Sequence, residues 1–296
     1  MNTKDLSFKI ADHPCRIIFR KGIDDGREYL PSYAPFYTPE PNPRNIFLLT
    51  VSDDLVNTQP EGKEIGQFDA GGCNHGVFLL DNGGFKIIIS NPRGEVAAAM
   101  KADKHFQNVG VTLYGNEANK RFGLNNTIMI TFAFSAAYHN TLLMHSSVIM
   151  HSGKAYMFLG TSGTGKSTHS DLWVANIPDS HILNDDNPAV RFLDDGSVRV
   201  YGTPWSGKRD YYLNTSLPLG ALVRLEQAPQ NQIRRETKIQ GFATILTSCS
   251  TMIWDKESYR KITDTVSKVA TVTPVFHLKN LPEPAAAWMS HDAVTS

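Results

Sequence analysis

Gly160-Thr161-Ser162-Gly163-Thr164-Gly165-Lys166-Ser167-Thr168 is the stretch on which the reading of this sequence turns. A glycine, four residues, then Gly-Lys-Ser/Thr is the phosphate-binding loop (P-loop) pattern, and every required position is filled. Glycines free the backbone to turn so that successive N–H groups point inward and cradle a phosphate chain. Lys166 then reaches the β/γ-phosphates as a point charge, and the Ser167 hydroxyl is placed to ligate Mg²⁺. The flanks agree. Lys154 to Leu159 reads as a buried strand leading in, and Ser167 to Ile177 as a helix leading out. Strand, loop, helix is the context the pattern requires, so residues 160–168 are expected to bind nucleotide phosphates.

Composition narrows the rest. A chain of 296 residues can form one large domain or two ordinary ones. Its 29 basic and 29 acidic residues balance, so net charge points to neither nucleic acid nor an acidic membrane surface. Cys15, Cys73 and Cys249 are far apart and odd in number, which fits a reducing cytoplasm better than a disulfide framework. Cys73-Asn74-His75 lacks a second ligand pair at zinc-like spacing. Met1 to Asp5 leads into no apolar run, so no signal peptide is expected. The most apolar segment, Thr127 to Met144, carries His139 and Asn140 and reads as a buried helix rather than a membrane span.

Along the chain, the first 120 or so residues read as β-rich. Cys15–Phe19, Asn45–Val51, Gly76–Leu80 and Phe85–Ile89 are apolar runs separated by turn signals such as Asp81-Asn82-Gly83-Gly84. Pro31 to Pro43 reads as an extended loop. A helix is expected over Asn125 to Asn140 and a strand over Leu142 to Met150. The strand Ser180 to Asn184 ends in Asp185-Asp186. Asp194-Asp195-Gly196 makes a hairpin turn between Ala189–Leu193 and Ser197–Tyr201. A strand at Leu219–Leu225, helices at Thr237–Ser250 and Lys256–Val269, a strand at Val272–Leu278 and a short helix complete the expectation.

Phosphoryl chemistry needs acidic groups beside a P-loop. Asp185-Asp186 sits at a strand end about 20 residues after Lys166, a position that suits a metal ligand facing phosphates. Adjacent carboxylates point in different directions, so one can face Mg²⁺ and the other an acceptor hydroxyl. His145 lies on the strand before the P-loop strand, and pairing through a turn at Gly153 would bring it toward the phosphates. Lys208 and Arg209 sit in a Gly- and Pro-punctuated loop with Trp205. They read either as a clamp on phosphate charge or as a solvated hairpin tip.

The set His145-Ser-Ser-Val-Ile, Gly160 to Thr168 and Asp185-Asp186 resembles the catalytic core of HPr kinase/phosphorylase. The P-loop is also similar to that of ATP-dependent phosphoenolpyruvate carboxykinase. The resemblance covers about Asn125 to Leu281. It implies that His145 lies at the site, that the P-loop binds ATP, and that Asp185 and Asp186 divide acid/base and Mg²⁺ duties. Gly202 to Lys208 holds roughly the place of that family's second signature loop without matching it in detail. It looks like a segment of a broader HPr-kinase-like group.

The sequence is thus read as mixed α/β (α+β). A β-rich N-terminal domain, residues 1–122, precedes an HPr-kinase-like P-loop catalytic domain, residues 123–296. The expected activity is an ATP- and Mg²⁺-dependent kinase acting on a hydroxyl, foremost serine, of a protein, peptide or small molecule. Metal ligands are expected among Ser167, Asp185 and Asp186, and catalytic side chains among Asp185, Asp186, His145, Lys208 and Arg209. The alternatives are a carboxykinase-like small-molecule enzyme and a nucleotide-binding regulatory module. Neither nucleic acid nor membrane is an expected partner, and the resemblance is compatible with a homo-oligomer.

Overall fold

The computed structural model describes residues 4–20, 26–39, 42–69, 74–207 and 209–296. By internal contacts the chain divides into two compact units: Met1–His139 with Ile253–Ser258, and Asn140–Met252 with Tyr259–Ser296. Each is built on a mixed sheet, which makes the protein mixed α/β.

The first unit contains β1 (Lys4–Ile10), β2 (His13–Phe19), β3 (Tyr37–Thr38), β4 (Phe47–Val51), β5 (Lys63–Asp69), β6 (Asn74–Leu79), β7 (Phe85–Ser90), β8 (Val96–Ala102), β9 (Asn108–Leu113) and α1 (Glu117–Ala137). The described strands run in the order β3-β1-β2-β4-β9-β8-β7-β6-β5. β2–β4 and β4–β9 pair parallel, the rest antiparallel. Alternation explains the strands: in β2, Cys15, Ile17 and Phe19 are buried while the residues between them are only half so.

Helix α1 starts well before the expected Asn125, because Asn116 caps it by accepting from the Asn119 N–H. It lies close on the sheet: a Cβ on Gly123 would sit 2.5 Å from the Ala97 carbonyl oxygen. The alanine run Ala97-Ala98-Ala99 of β8 leaves room for that approach. These contacts place α1 with the first unit, whereas the sequence reading put the boundary at 122/123. Pro31 to Phe36 is a 3₁₀ helix rather than an extended loop, since its spacing turns Tyr33 and Phe36 together into the core. Glu40 and Pro41 of that stretch lie outside the described residues, as does Cys73.

The second unit contains β10 (Thr141–Leu143), β11 (Ser146–His151), β12 (Lys154–Leu159), α2 (Lys166–Asn176), β13 (His181–Asp186), β14 (Ala189–Phe192), β15 (Val198–Tyr201), β16 (Ser216–Gln227), β17 (Gln232–Arg235), α3 (Lys238–Leu246), α4 (Lys256–Val272), β18 (Val275–Asn280) and α5 (Pro284–Thr295). The first residues of α4 count with the other unit. Strand order is β10-β14-β15-β16-β12-β11-β13, with β18 also on β16 and β17 on β18. β12–β16 and β16–β18 are parallel. The expected strand Leu142–Met150 is two strands. Its backbone leaves β14 after Leu143 and then joins β12 and β13, with the His145 N–H held by the Ser248 carbonyl at 2.7 Å.

Under the sheet, α2 buries Trp173 against Tyr156, Phe158, Val223 and Ala287. Ser290 on α5 fastens this contact. Its Oγ accepts from Trp173 Nε1 at 2.8 Å and from His169 Nε2 at 3.0 Å, and donates to the Ala287 carbonyl at 3.0 Å. The hydroxyl is saturated, so His169 is the Nε2–H tautomer, and its Nδ1 is buried without a partner. A second proton would have no acceptor. Burial accordingly holds the His169 pKa down to about 4. Above pH 6.5 the folded and unfolded chains both carry this side chain neutral. As pH falls from 6.5 toward about 4, the unfolded chain takes up a proton that the folded one refuses, and stability drops. The expected loss is about 3 kcal/mol. Urea midpoints measured across that window should fall steeply in the wild type and less so in His169→Gln. Equal slopes would refute the assignment.

Candidate functional site

The turn Ser152-Gly153 joins β11 to β12 in the register Ser146↔Leu159 through His151↔Lys154. One residue beyond that ladder, His145 stands level with Gly160, where the glycine-rich loop begins. On the other side of β11, β13 pairs Ser147↔Asp185 and Ser146↔Asp186. Three consecutive residues, His145, Ser146 and Ser147, thus set the histidine, both aspartates and the loop side by side. A Ser147–Ser170 hydroxyl contact of 2.6 Å locks α2 onto β11.

The loop closes on itself. Thr164 Oγ1 donates to the Thr161 carbonyl at 2.8 Å, and Gln227 from the end of β16 donates to the Gly163 carbonyl at 3.2 Å. Gly160 has φ 155°, and a Cβ there would sit 2.5 Å from Thr164 Oγ1. Gly163 and Gly165 also have positive φ, and Thr161, Ser162 and Gly163 are exposed along the rim. Ser167 and Thr168 are exposed in the first turn of α2, whose free N–H groups and dipole favour an anion.

Lys166 is buried. Its three ammonium donors are all used: the Gly160 carbonyl at 2.9 Å, the Thr161 carbonyl at 3.2 Å and His145 Nε2 at 2.8 Å. Accepting there leaves the proton of His145 on Nδ1, which lies 2.9 Å from Asp186 Oδ1. Burial pulls the Lys166 ammonium below its ordinary range, against the pull of Asp186 and then Asp185, which favour its charge.

Asp185 is buried and faces elsewhere. Its Oδ1 accepts from Ser167 Oγ at 3.1 Å and its Oδ2 from Arg209 Nε at 2.7 Å. Oxygens on adjacent corners of an octahedral Mg²⁺ shell are about 3 Å apart, given metal–oxygen distances of about 2.1 Å. Ser167 and Asp185 therefore fit as a cis pair on a small cation. Among the described residues no group of three or more His, Cys, Asp or Glu side chains is set to hold a metal.

Of the residues singled out in the sequence, the structure brings together Gly160, Lys166, Ser167, Asp185, Asp186, His145 and Arg209. Lys208 lies outside the described residues. Arg209 is neither a solvated tip nor turned to open space. Besides Asp185, its Nη1 donates to both oxygens of Asp171, at 2.7 and 2.9 Å, and its guanidinium lies 5.1 Å from the Tyr211 ring centre. Asp171 escaped the sequence reading. Its only signal was helical spacing, four residues beyond Ser167 on the same face of α2.

No protein-family model matches the chain, and no curated protein matches it. Among solved structures it is similar to the Hpr(Ser) kinase/phosphatase from Coxiella burnetii, at 12% identity over 51% of this chain and 96% of that one, with a TM-score of 0.30. At that level the neighbour decides no chemistry here. The contacts above stand by themselves.

One of them is strained. Asp186 has φ 147°, a backbone region that costs a side-chain-bearing residue of order 1–3 kcal/mol. Gly207 packs against it, at a distance where a Cβ would lie 3.0 Å from Asp186 Oδ2. Asp186→Ala and Asp186→Gly both delete the contact with His145, but only glycine relieves the backbone. Asp186→Gly should therefore be more stable than Asp186→Ala by about 1 kcal/mol or more, the reverse of the usual order in a strand. Denaturant unfolding of the two variants checks this, and a more stable alanine variant would remove the strain argument.

Proposed function

We propose that the chain is an ATP- and Mg²⁺-dependent kinase with a P-loop core of the HPr-kinase type. It would transfer the γ-phosphate to a hydroxyl, foremost serine, of a protein, peptide or small molecule. The observation that supports this most is the division of the two adjacent aspartates. Asp185 is turned to Ser167 and Asp186 to His145, with Lys166 between them. A module that only bound nucleotide would need no such division.

In this reading the loop amides and the N-terminus of α2 cradle the β- and γ-phosphates, and Lys166 exchanges its carbonyl partners for phosphate oxygens. Ser167 and Asp185 would hold Mg²⁺, which when bound would neutralise phosphate charge. Asp186 accepts the proton of the acceptor hydroxyl as the phosphate moves in line. His145, donating from Nδ1, keeps the Asp186 carboxylate oriented and its second oxygen available.

The test uses γ-labelled ATP with Mg²⁺, the purified protein and fractionated lysate. Transfer to a single protein or small-molecule fraction is expected in the wild type. Lys166→Ala should lower it at least about 100-fold through loss of charge stabilisation. Asp186→Asn should lower it about 100-fold or more while leaving ATP binding intact. Near-wild-type transfer in Lys166→Ala would refute the placement of the site. ATP binding with no transfer to any fraction would leave only a nucleotide-binding role.

A further inference from the structure

Arg209 invites reading as a clamp for phosphate charge, but its contacts point another way. Nε is spent on Asp185 Oδ2 at 2.7 Å, Nη1 on both oxygens of Asp171, and Nη2 lies 3.4 Å from the Ser167 carbonyl. Nη1 is shared between the two oxygens of Asp171, and with Nε on Asp185 it anchors the guanidinium at two points, which fixes its direction as well as its place. The partners are ordered by burial: the side chain is 55% exposed at Asp171, 28% at Arg209 and 7% at Asp185. The oxygen of Asp185 that Arg209 leaves available is Oδ1, which accepts from Ser167 Oγ.

We infer that Asp171 and Arg209 form a relay that orients Asp185 as a cation ligand, Asp171 holding Arg209 and Arg209 holding the far oxygen of the carboxylate. Asp171 is a positioning residue: it touches neither the cation nor the phosphate. The inference rests on the reading of Ser167 and Asp185 as the protein's cation ligands. Its physical basis is that a ligating carboxylate with one oxygen tied down presents the other in one direction. Ser167 and Asp171, one helical turn apart, then fix both ends of the arrangement from the same face of α2. Without Asp171, Arg209 loses its only ion pair besides Asp185 among the described residues and keeps the long Ser167 carbonyl contact and the Tyr211 ring, on a flexible stem. It would then follow either the carboxylate or a phosphate.

The experiment reads metal binding directly, on the full chain. Mn²⁺ is titrated with and without ADP, free Mn²⁺ being followed by electron paramagnetic resonance. Loss of an outer partner of a metal ligand weakens affinity about 10- to 100-fold. Asp171→Asn should therefore weaken Mn²⁺ binding at least about tenfold, and Arg209→Gln by a similar factor. The double variant should be no weaker than Arg209→Gln alone, since both act through one carboxylate. Asp171→Glu should recover most of the affinity. ADP binding in chelator should be unchanged in all of them. Unchanged Mn²⁺ affinity in Asp171→Asn overturns the relay. So does a multiplicative loss in the double variant. Wild-type Mn²⁺ affinity in Asp185→Asn removes the ligand on which the relay acts and overturns it as well. Phosphate transfer is measured separately. A relay seen in Mn²⁺ binding without any transfer would stand, and the kinase reading would be what fails.

Discussion

The ammonium of the buried Lys166 has three protons to place, and the positions of its acceptors account for much of the local architecture. Two acceptors are carbonyls at the start of the glycine-rich loop, so the lysine draws the head of α2 back over the end of β12. The third is His145, which the β11–β12 register delivers to the same place. An unpartnered ammonium at this depth would be costly, and even the partnered one has its charge disfavoured by burial. Asp186 and Asp185 offset that cost. The loop, the histidine and the carboxylates are therefore not separate features, because removing one leaves a buried charge or donor without its complement.

Parts of this arrangement could be read from the sequence because they depend on short-range rules. An apolar run and the glycine that ends it bound β12 at Lys154–Leu159, and turn chemistry places Asp194-Asp195-Gly196 between β14 and β15. Other parts depend on contacts distant in sequence. β8 is alanine-rich and weak in strand propensity; it is a strand through its pairing with β7 and β9, with α1 packed on it at Gly123. The break at Met144 and His145 follows from the partners of the main chain, Pro188 and Ser248, neither of which any local pattern names. Asp171 and Arg209 are 38 residues apart, so their pairing had no signature in either segment.

The two aspartates show where local reasoning reached its limit. Alternation predicts that neighbours on a strand face opposite ways, and Asp185 obeys it by turning to α2. Asp186 reaches His145 with a backbone angle that a strand residue does not ordinarily adopt. The sequence could suggest that the pair divides its work; it could not show that one member is held under strain to do so. Such strain persists only where neighbours over-determine it, here His145 on one side and Gly207 on the other.

The interleaving of the two units bears on how the chain is made. Residues 253–258 complete the first unit, with Trp254 lying against Phe68 at 5.4 Å and filling the space left by Gly66. During synthesis the first unit must therefore wait for this piece until residues 140–252 of the second have been made. The second in turn needs the strand and helix that follow, β18 and α5, before Trp173 has its full cover. Neither unit can finish early, and neither can be cut out as one continuous segment. The folding of each is tied to the presence of the other by the order of the chain itself.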